Sequence, residues 1–282
     1  MCYLIVSGVL NVILNLLLVI GFHLGVAGVA IATVISNVVS TFLIISHLYR
    51  RNDEFSFRFD RMRIDTNELK KVLAIGIPAG IQGAIFSVSN VFIQSGINMF
   101  GEAAIAGSSL ALNFEYFTYD IAGAFAQAAV TFTSQNFGAG NIKRCLNVVK
   151  KGLTLNFGFT CFLTVLVFLA ARPFLEVFGL EPDAMELGMM RVHIIIGFYF
   201  LSPIYESLAA SMRGFGNSLA PALGMLVSIV GTRMLWLATV YEADPTFRNI
   251  MWCYPLSWFA ADVLIGGLFV REMGKQKRLA KI

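Results

Sequence analysis

The first 49 residues of this 282-residue chain contain no Asp, Glu, Lys or Arg. The same absence recurs in four later segments, which are 72–101, 121–142, 152–171 and 214–232. A water-soluble helix needs a polar or charged face, whereas a helix of ~20 apolar residues can cross a bilayer. The pattern therefore predicts an all-α, polytopic membrane protein in which the few charged residues carry most of the functional information.

Composition agrees with a membrane protein and narrows the functions to consider. Hydrophobic residues make up 57% of the chain and charged residues 13%, against about 25% charged residues in an ordinary soluble domain. The four cysteines form no CxxC pair, so neither a disulfide framework nor a zinc site is expected. The sequence shows no phosphate-binding glycine loop and no nucleophile–base pair. We therefore expect no enzyme activity, no cofactor and no nucleic-acid partner.

Hydropathy predicts about eight membrane-spanning helices. Their predicted bounds are 4–22, 26–49, 72–100, 103–137, 147–171, 189–212, 219–241 and 249–270. The segment 50–71, with seven basic and five acidic residues, is the strongest shift in composition and marks a domain boundary. We predict a helix pair at 1–49, a linker at 50–71, a six-helix lobe at 72–271 and a basic tail at 272–282.

Lysine and arginine predict the orientation in the membrane. Of the 21 basic residues, 17 lie on one predicted side, in the linker, in 143–151, at Arg213 and in the tail. The opposite side holds Arg172, Arg191 and Arg248, and Arg233 falls inside a span. Basic residues are enriched in cytoplasmic loops. We therefore expect a plasma (inner) membrane protein with a cytoplasmic linker and a cytoplasmic C-terminus.

A weak internal repeat relates the two ends of the chain. A shift of 221 residues lays the first two predicted helices on the last two, so that Val6–Val9 falls on Val227–Val230 and Ser36 on Ser257. Both pairs cross the membrane in the same order, as in parallel repeats related by an axis along the membrane normal. The repeat predicts that Met1 lies two-thirds of the way through a first six-helix lobe, and it leaves open whether upstream helices are needed for function.

Several motifs occur in the order and spacing of one transporter family. They are Asn11–Asn15 with Gly25–Ser36, Gly76–Gly80, Gln127–Asn141 and Met212–Ser218. Together they resemble helices five to twelve of the multidrug and toxic compound extrusion (MATE) family. The resemblance implies two six-helix lobes, a cation-coupled antiporter of organic cations and drugs, and four further helices upstream. Asn15 stands where many relatives carry an acid.

Five charged residues lie well inside the predicted spans, away from the span ends, and they are Glu115, Asp120, Glu206, Arg233 and Asp262. Each costs at least ~2.5–3.5 kcal/mol at the centre of a membrane helix, so a partner or a water-filled cavity is expected beside it. Counting the helical rise from charged helix ends puts Glu115 and Glu206 at comparable depth. We predict that these two carboxylates bind the coupling ion, Na⁺ or H⁺. Arg233 is their predicted ion-pair partner, and a purely structural ion pair is the alternative.

Other polar and aromatic residues are candidates for lining a cavity. The third predicted helix carries a polar stripe with spacings of three and four, which fall on one helical face. Tyr119 shares the face of Glu115 and could contact an organic cation through its ring, whereas Asp120 points ~140° away from Glu115. The candidates are Ser87, Asn90, Gln94, Asn98, Tyr119, Asp120 and Asp262. Helix packing, or exposure to water for the two aspartates, is the alternative.

The leading hypothesis is therefore an antiporter that exports organic cations or drugs through the lipid bilayer. A lipid-linked precursor flippase has a related two-lobe plan, but four acids and one arginine inside the spans favour cationic cargo. A gene remnant or a membrane partner protein without transport activity is the third hypothesis.

Overall fold

The structure is a computed structural model that describes residues 2–51 and 63–279. These residues form ten α-helices and no strand, which confirms the all-α prediction. The helices are α1 (Cys2–Asn15), α2 (Gly25–Arg50), α3 (Thr66–Asn98), α4 (Gly101–Gly138), α5 (Ile142–Val177), α6 (Pro182–Gly197), α7 (Ser202–Gly214), α8 (Leu219–Met225), α9 (Thr232–Trp236) and α10 (Phe247–Leu279). Met1, most of the predicted linker and the end of the predicted tail lie outside the described residues.

Six helical stretches of the described chain are long and apolar enough to cross a membrane. They are Tyr3–Gly21, Gly25–Arg50, Ile142–Val177, Pro182–Gly214, Leu219–Tyr241 and Phe247–Arg278. Helices α3 and α4 have sufficient length, with 33 and 38 residues, but are not among these six. A protein with several membrane spans is thus confirmed, and the two further spans stay a prediction.

The chain divides into two compact units, residues 1–69 and 70–282. In the first unit α1 packs along α2. The Ser7 hydroxyl donates to the Ser36 carbonyl oxygen at 2.8 Å, and the Asn11 amide donates to the Ser36 hydroxyl oxygen at 3.1 Å. Such side-chain hydrogen bonds join helices where no water competes for the polar groups.

Helix α4 is the central element of the second unit and packs against α5, α6 and α7. It crosses α6 where two glycines meet. A Cβ atom added to Gly107 would lie 2.1 Å from the carbonyl oxygen of Ala184, and one added to Gly188 would lie 3.0 Å from the carbonyl oxygen of Gly107. Small residues allow this backbone approach between membrane helices.

The connection between α5 and α6 differs from its prediction. Sequence analysis predicted a long connection after 171 and a helix from 189, whereas α5 continues to Val177 and α6 already begins at Pro182. Proline fits the first turn of a helix, where its missing N–H leaves no bond unmade. Arg191 consequently lies midway along α6, within the candidate span Pro182–Gly214, instead of near the start of the predicted helix 189–212.

The internal repeat is also visible in helix geometry. Wide π-helical turns occupy Leu16–Gly21 and Leu237–Tyr241, and the two segments begin 221 residues apart. Ser36 and Ser257, which the same shift aligns, each donate to the carbonyl oxygen three residues earlier, at 3.0 and 2.7 Å. The two helix pairs therefore share these two local irregularities.

Candidate functional site

A cavity of about 700 Å³ lies within the second unit. Residues from α3, α4, α6, α7, α8, α9 and α10 line it, together with the short helical turns before α7 and after α8. Aromatic and amide side chains cover much of its wall. Two carboxylates and two guanidinium groups reach it, and these belong to Glu115, Glu206, Arg191 and Arg233.

Glu115 and Arg191 form a buried ion pair across the α4–α6 contact. The Arg191 Nε donates to Glu115 Oε1, and its Nη2 donates to Glu115 Oε2 at 3.0 Å. Arg191 is 2% exposed and Glu115 is 9% exposed. Parallel N–H···O bonds of this kind are among the strongest protein hydrogen bonds. Arg191 therefore occupies the place that the sequence analysis gave to Arg233 beside Glu115.

Arg233 in α9 has neutral partners instead. Its Nη1 donates to Asn90 Oδ1 at 3.0 Å, and its Nε donates to Ser257 Oγ at 3.2 Å. Its guanidinium carbon lies 4.5 Å from the ring centre of Tyr254 and 5.6 Å from that of Phe86. Among the described residues, no carboxylate lies within 4.0 Å of this buried cation. Its predicted pairing with the two glutamates is thus corrected.

Glu206 in α7 is the other charge on the cavity wall that has no ion-pair partner among the described residues. The side chain is half-buried and lines the cavity together with Tyr119 and Tyr205. Within the part of the chain that the structure describes, its carboxylate has no hydrogen bond and no ion pair. A carboxylate at membrane depth is tolerated beside water, a cation or a cationic ligand.

The structure separates the remaining candidates into two groups. Four of them line the cavity, and they are Ser87, Asn90, Gln94 and Tyr119. Asn98 and Asp120 are exposed outside it. Asp262 does not line the cavity either. Its Oδ1 accepts the backbone N–H of Tyr205 at 3.0 Å, in the first turn of α7. The described residues contain no cluster of three or more His, Cys, Asp or Glu that could hold a metal ion.

Arg191 is the important residue that sequence reasoning placed wrongly. Pro182 followed by Asp183 is a pattern typical of a helix N-terminus. A helix begun there carries Arg191 into the apolar run that ends at Ile196. Reading those two residues as a helix start, rather than as a loop, would have placed a second arginine well inside a candidate membrane span.

A helical membrane protein with charged side chains around an internal cavity has the features of a membrane transporter. The chain matches the MatE family over residues 78–237, which is more than half of its length, and it belongs to this family. The resemblance recognised in the sequence is thereby confirmed, and so is the expectation of a transporter-family protein rather than an enzyme.

Two relatives indicate how much of such a protein the chain covers. The probable multidrug resistance protein NorM of Thermotoga maritima is 27% identical over 229 residues, which are 80% of this chain and 49% of the relative. The probable multidrug resistance protein YoeA of Bacillus subtilis is 28% identical over 289 residues, covering 99% of this chain and 62% of the relative. The chain thus spans about half to three-fifths of the length of these relatives.

Solved structures share the fold. A crystal structure of MATE in complex with MaL6 superposes with a TM-score of 0.85 at 18% identity, over 98% of this chain and 63% of that one. A MOP superfamily transporter from Pyrococcus furiosus gives a TM-score of 0.87 at 17% identity, over 98% and 62% of the two chains.

Proposed function

We propose that this chain acts in multidrug efflux as a cation-coupled antiporter, exchanging organic cations for Na⁺ or H⁺ across the inner membrane. One observation carries the proposal. The Glu206 carboxylate faces a cavity of about 700 Å³ and has no partner among the described residues. Such a group gains most by binding a proton, a metal cation or a positively charged ligand.

Glu206 alone performs the coupling in this proposal. Both oxygens of Glu115 already accept hydrogen bonds from Arg191, so that carboxylate is occupied. Binding of the coupling ion at Glu206 would compete with a cationic cargo for one negative charge. Competition for one site couples the two flows, and the gradient of the coupling ion across the membrane then gives the exchange its direction.

The cargo assignment is supported by the cavity wall and by the names of the relatives. Tyr119, Tyr205, Tyr254 and Trp258 contribute rings to the cavity, and such rings attract organic cations. Several relatives are named multidrug resistance or multidrug export proteins. Both facts favour large aromatic or cationic compounds over inorganic ions as cargo.

The test is the loss of ethidium efflux in Glu206→Gln. In cells without their own ethidium exporters, the wild-type protein should lower ethidium accumulation. Glu206→Gln should remove that effect because the neutral amide takes up no proton at this pH and lacks the negative charge that attracts Na⁺ or a cationic cargo. Glu102→Gln is the matched control, since Glu102 lies exposed in the first turn of α4. Equal amounts of each variant in the membrane fraction are required. Full efflux by Glu206→Gln would refute the assignment.

A further inference from the structure

We propose that a second cavity, beside the C-terminal end of α10, binds the phosphate group of an anionic phospholipid. This cavity has a volume of about 720 Å³ and lies between α10, the end of α7 and the start of α8. It shares no lining residue with the cavity that Glu206 faces. The inference therefore stands apart from the proposed function and does not depend on it.

Three basic side chains of α10 line the second cavity, and they are Arg271, Lys275 and Arg278. Spacings of four and three residues put them on one face of the helix. All three residues are exposed, and within the described part of the chain their side chains have neither a hydrogen bond nor an ion pair. Neighbouring cations without partners repel one another, and an anion bound between them offsets that repulsion.

The carboxylate on the cavity wall, Glu272, does not neutralise these cations. Its side chain is buried, its Oε2 accepts a hydrogen bond from Asn217 Nδ2 at 2.9 Å, and its Oε1 accepts one from Gln276 Nε2 at 2.7 Å. No ion pair within 4.0 Å joins it to another described residue. The Asn217 contact instead holds the turn after α7 against α10. The cavity therefore keeps its shape and a net positive charge.

The depth of the cavity favours a lipid over a soluble anion. The apolar part of α10, predicted at 249–270, is ~33 Å long at the helical rise, close to the ~30 Å hydrocarbon core of a bilayer. Arg271 follows it directly and so lies at the level of the headgroups. Leu268 and Met212, also on the cavity wall, can contact the start of an acyl chain. Basic pockets between membrane helices bind anionic headgroups, and arginine suits phosphate because its guanidinium donates paired hydrogen bonds.

Native mass spectrometry of the purified chain tests the inference. The chain, in a mild detergent, is offered equal amounts of phosphatidylglycerol and phosphatidylcholine with the same acyl chains. Phosphatidylglycerol carries a net negative charge, whereas phosphatidylcholine is neutral overall. The wild-type chain should bind phosphatidylglycerol about ten-fold more tightly, because each basic residue beside the headgroup adds to the attraction.

Two lysines of α10 distinguish a defined site from general attraction to a basic helix. Lys275 lines the cavity, whereas Lys277 is exposed, lies ~160° away round the helix and does not line it. Lys275→Gln should weaken binding of phosphatidylglycerol about five-fold. Lys277→Gln removes the same charge and should leave that binding unchanged. Equal binding of phosphatidylcholine by the three proteins shows that both variants are folded.

Glycerol phosphate, a phosphate ester without acyl chains, distinguishes a lipid from a soluble anion. Phosphatidylglycerol should stay bound when glycerol phosphate is added at the same concentration, and its displacement there would overturn the lipid assignment. Equal losses of binding in Lys275→Gln and Lys277→Gln would overturn the site. A wild-type chain that does not prefer phosphatidylglycerol to phosphatidylcholine would overturn the inference as a whole.

Discussion

At the residue scale, the Glu115–Arg191 pair converts two costly charges into one neutral unit. Replacing one partner of a buried pair leaves the other charge unpaired and costs ~3–5 kcal/mol, whereas replacing both with apolar residues is often nearly neutral. Both side chains of the pair are buried, so we expect the cost of ~3–5 kcal/mol when one partner is replaced. Its main consequence is to leave Glu206 as the available carboxylate of the cavity.

We predict that Arg191→Met and Glu115→Leu each lower the stability of the purified protein by about 3 kcal/mol or more, and that the double variant recovers most of the loss. Thermal unfolding in detergent can be followed through reaction of a maleimide dye with the buried Cys145 and Cys253 thiols. The single and double variants form a double-mutant cycle. A coupling free energy below ~0.5 kcal/mol between the two substitutions would show that Glu115 and Arg191 do not act as a pair.

The exposed pair Arg172–Glu176 is the matched control, with an N–O distance of 3.1 Å and side chains 73% and 57% exposed. Exposed pairs contribute only ~0–1 kcal/mol. Arg172→Met should therefore shift the unfolding midpoint little, and a shift as large as that of Arg191→Met would contradict the role of burial.

The sequence indicated single residues of the site better than their pairing. Glu206, Arg233 and Asn90 stood out because each is polar within an apolar run. Which arginine meets Glu115 depends on where α4 and α6 cross, and no local pattern along either helix encodes that crossing.

At the element scale, the α4–α6 crossing holds the site together. Gly188 lies one turn before Arg191, and its contact with Gly107 brings α6 close enough for Arg191 to reach Glu115. The backbones touch where a side chain would intervene in most helix pairs. The geometry of the ion pair therefore depends on the absence of a side chain at Gly107 and at Gly188.

We predict that Gly107→Ala destabilises the protein by about 1–3 kcal/mol, as overpacking does, because the new methyl group would collide with the backbone of Ala184. Gly123→Ala on the same helix is the control. Nothing lies within 4 Å of its added Cβ, and alanine favours a helix by up to ~1 kcal/mol over glycine. The same thiol-reactive unfolding assay ranks the variants. Equal midpoints for the two would disprove the close crossing.

The element bounds show which sequence signals were sufficient. The predicted span 103–137 agrees with α4, which runs from Gly101 to Gly138, because glycine-rich turns flank an apolar run there. The start of α6 was missed since its first turns carry charged residues and a proline. Composition is a good guide to a span's centre, whereas cap residues determine its ends.

At the scale of the whole molecule, the proposed exchange has a direction only if the loops face defined sides of the membrane. The turn between α4 and α5 precedes the basic segment 143–151, and the turn between α5 and α6 contains Glu181. Basic residues favour the cytoplasmic side. The first turn should thus be cytoplasmic and the second external.

We predict that, in a cysteine-free background, Glu181→Cys reacts with a membrane-impermeant maleimide in intact cells. Lys143→Cys should react only after permeabilisation. Both side chains are exposed, so a difference in labelling reports the side of the membrane rather than burial. Because α5 joins the two positions as one continuous helix, opposite labelling would also establish that α5 spans the bilayer. Labelling of both in intact cells would contradict the orientation, and with it the cytoplasmic placement of the linker and the C-terminus.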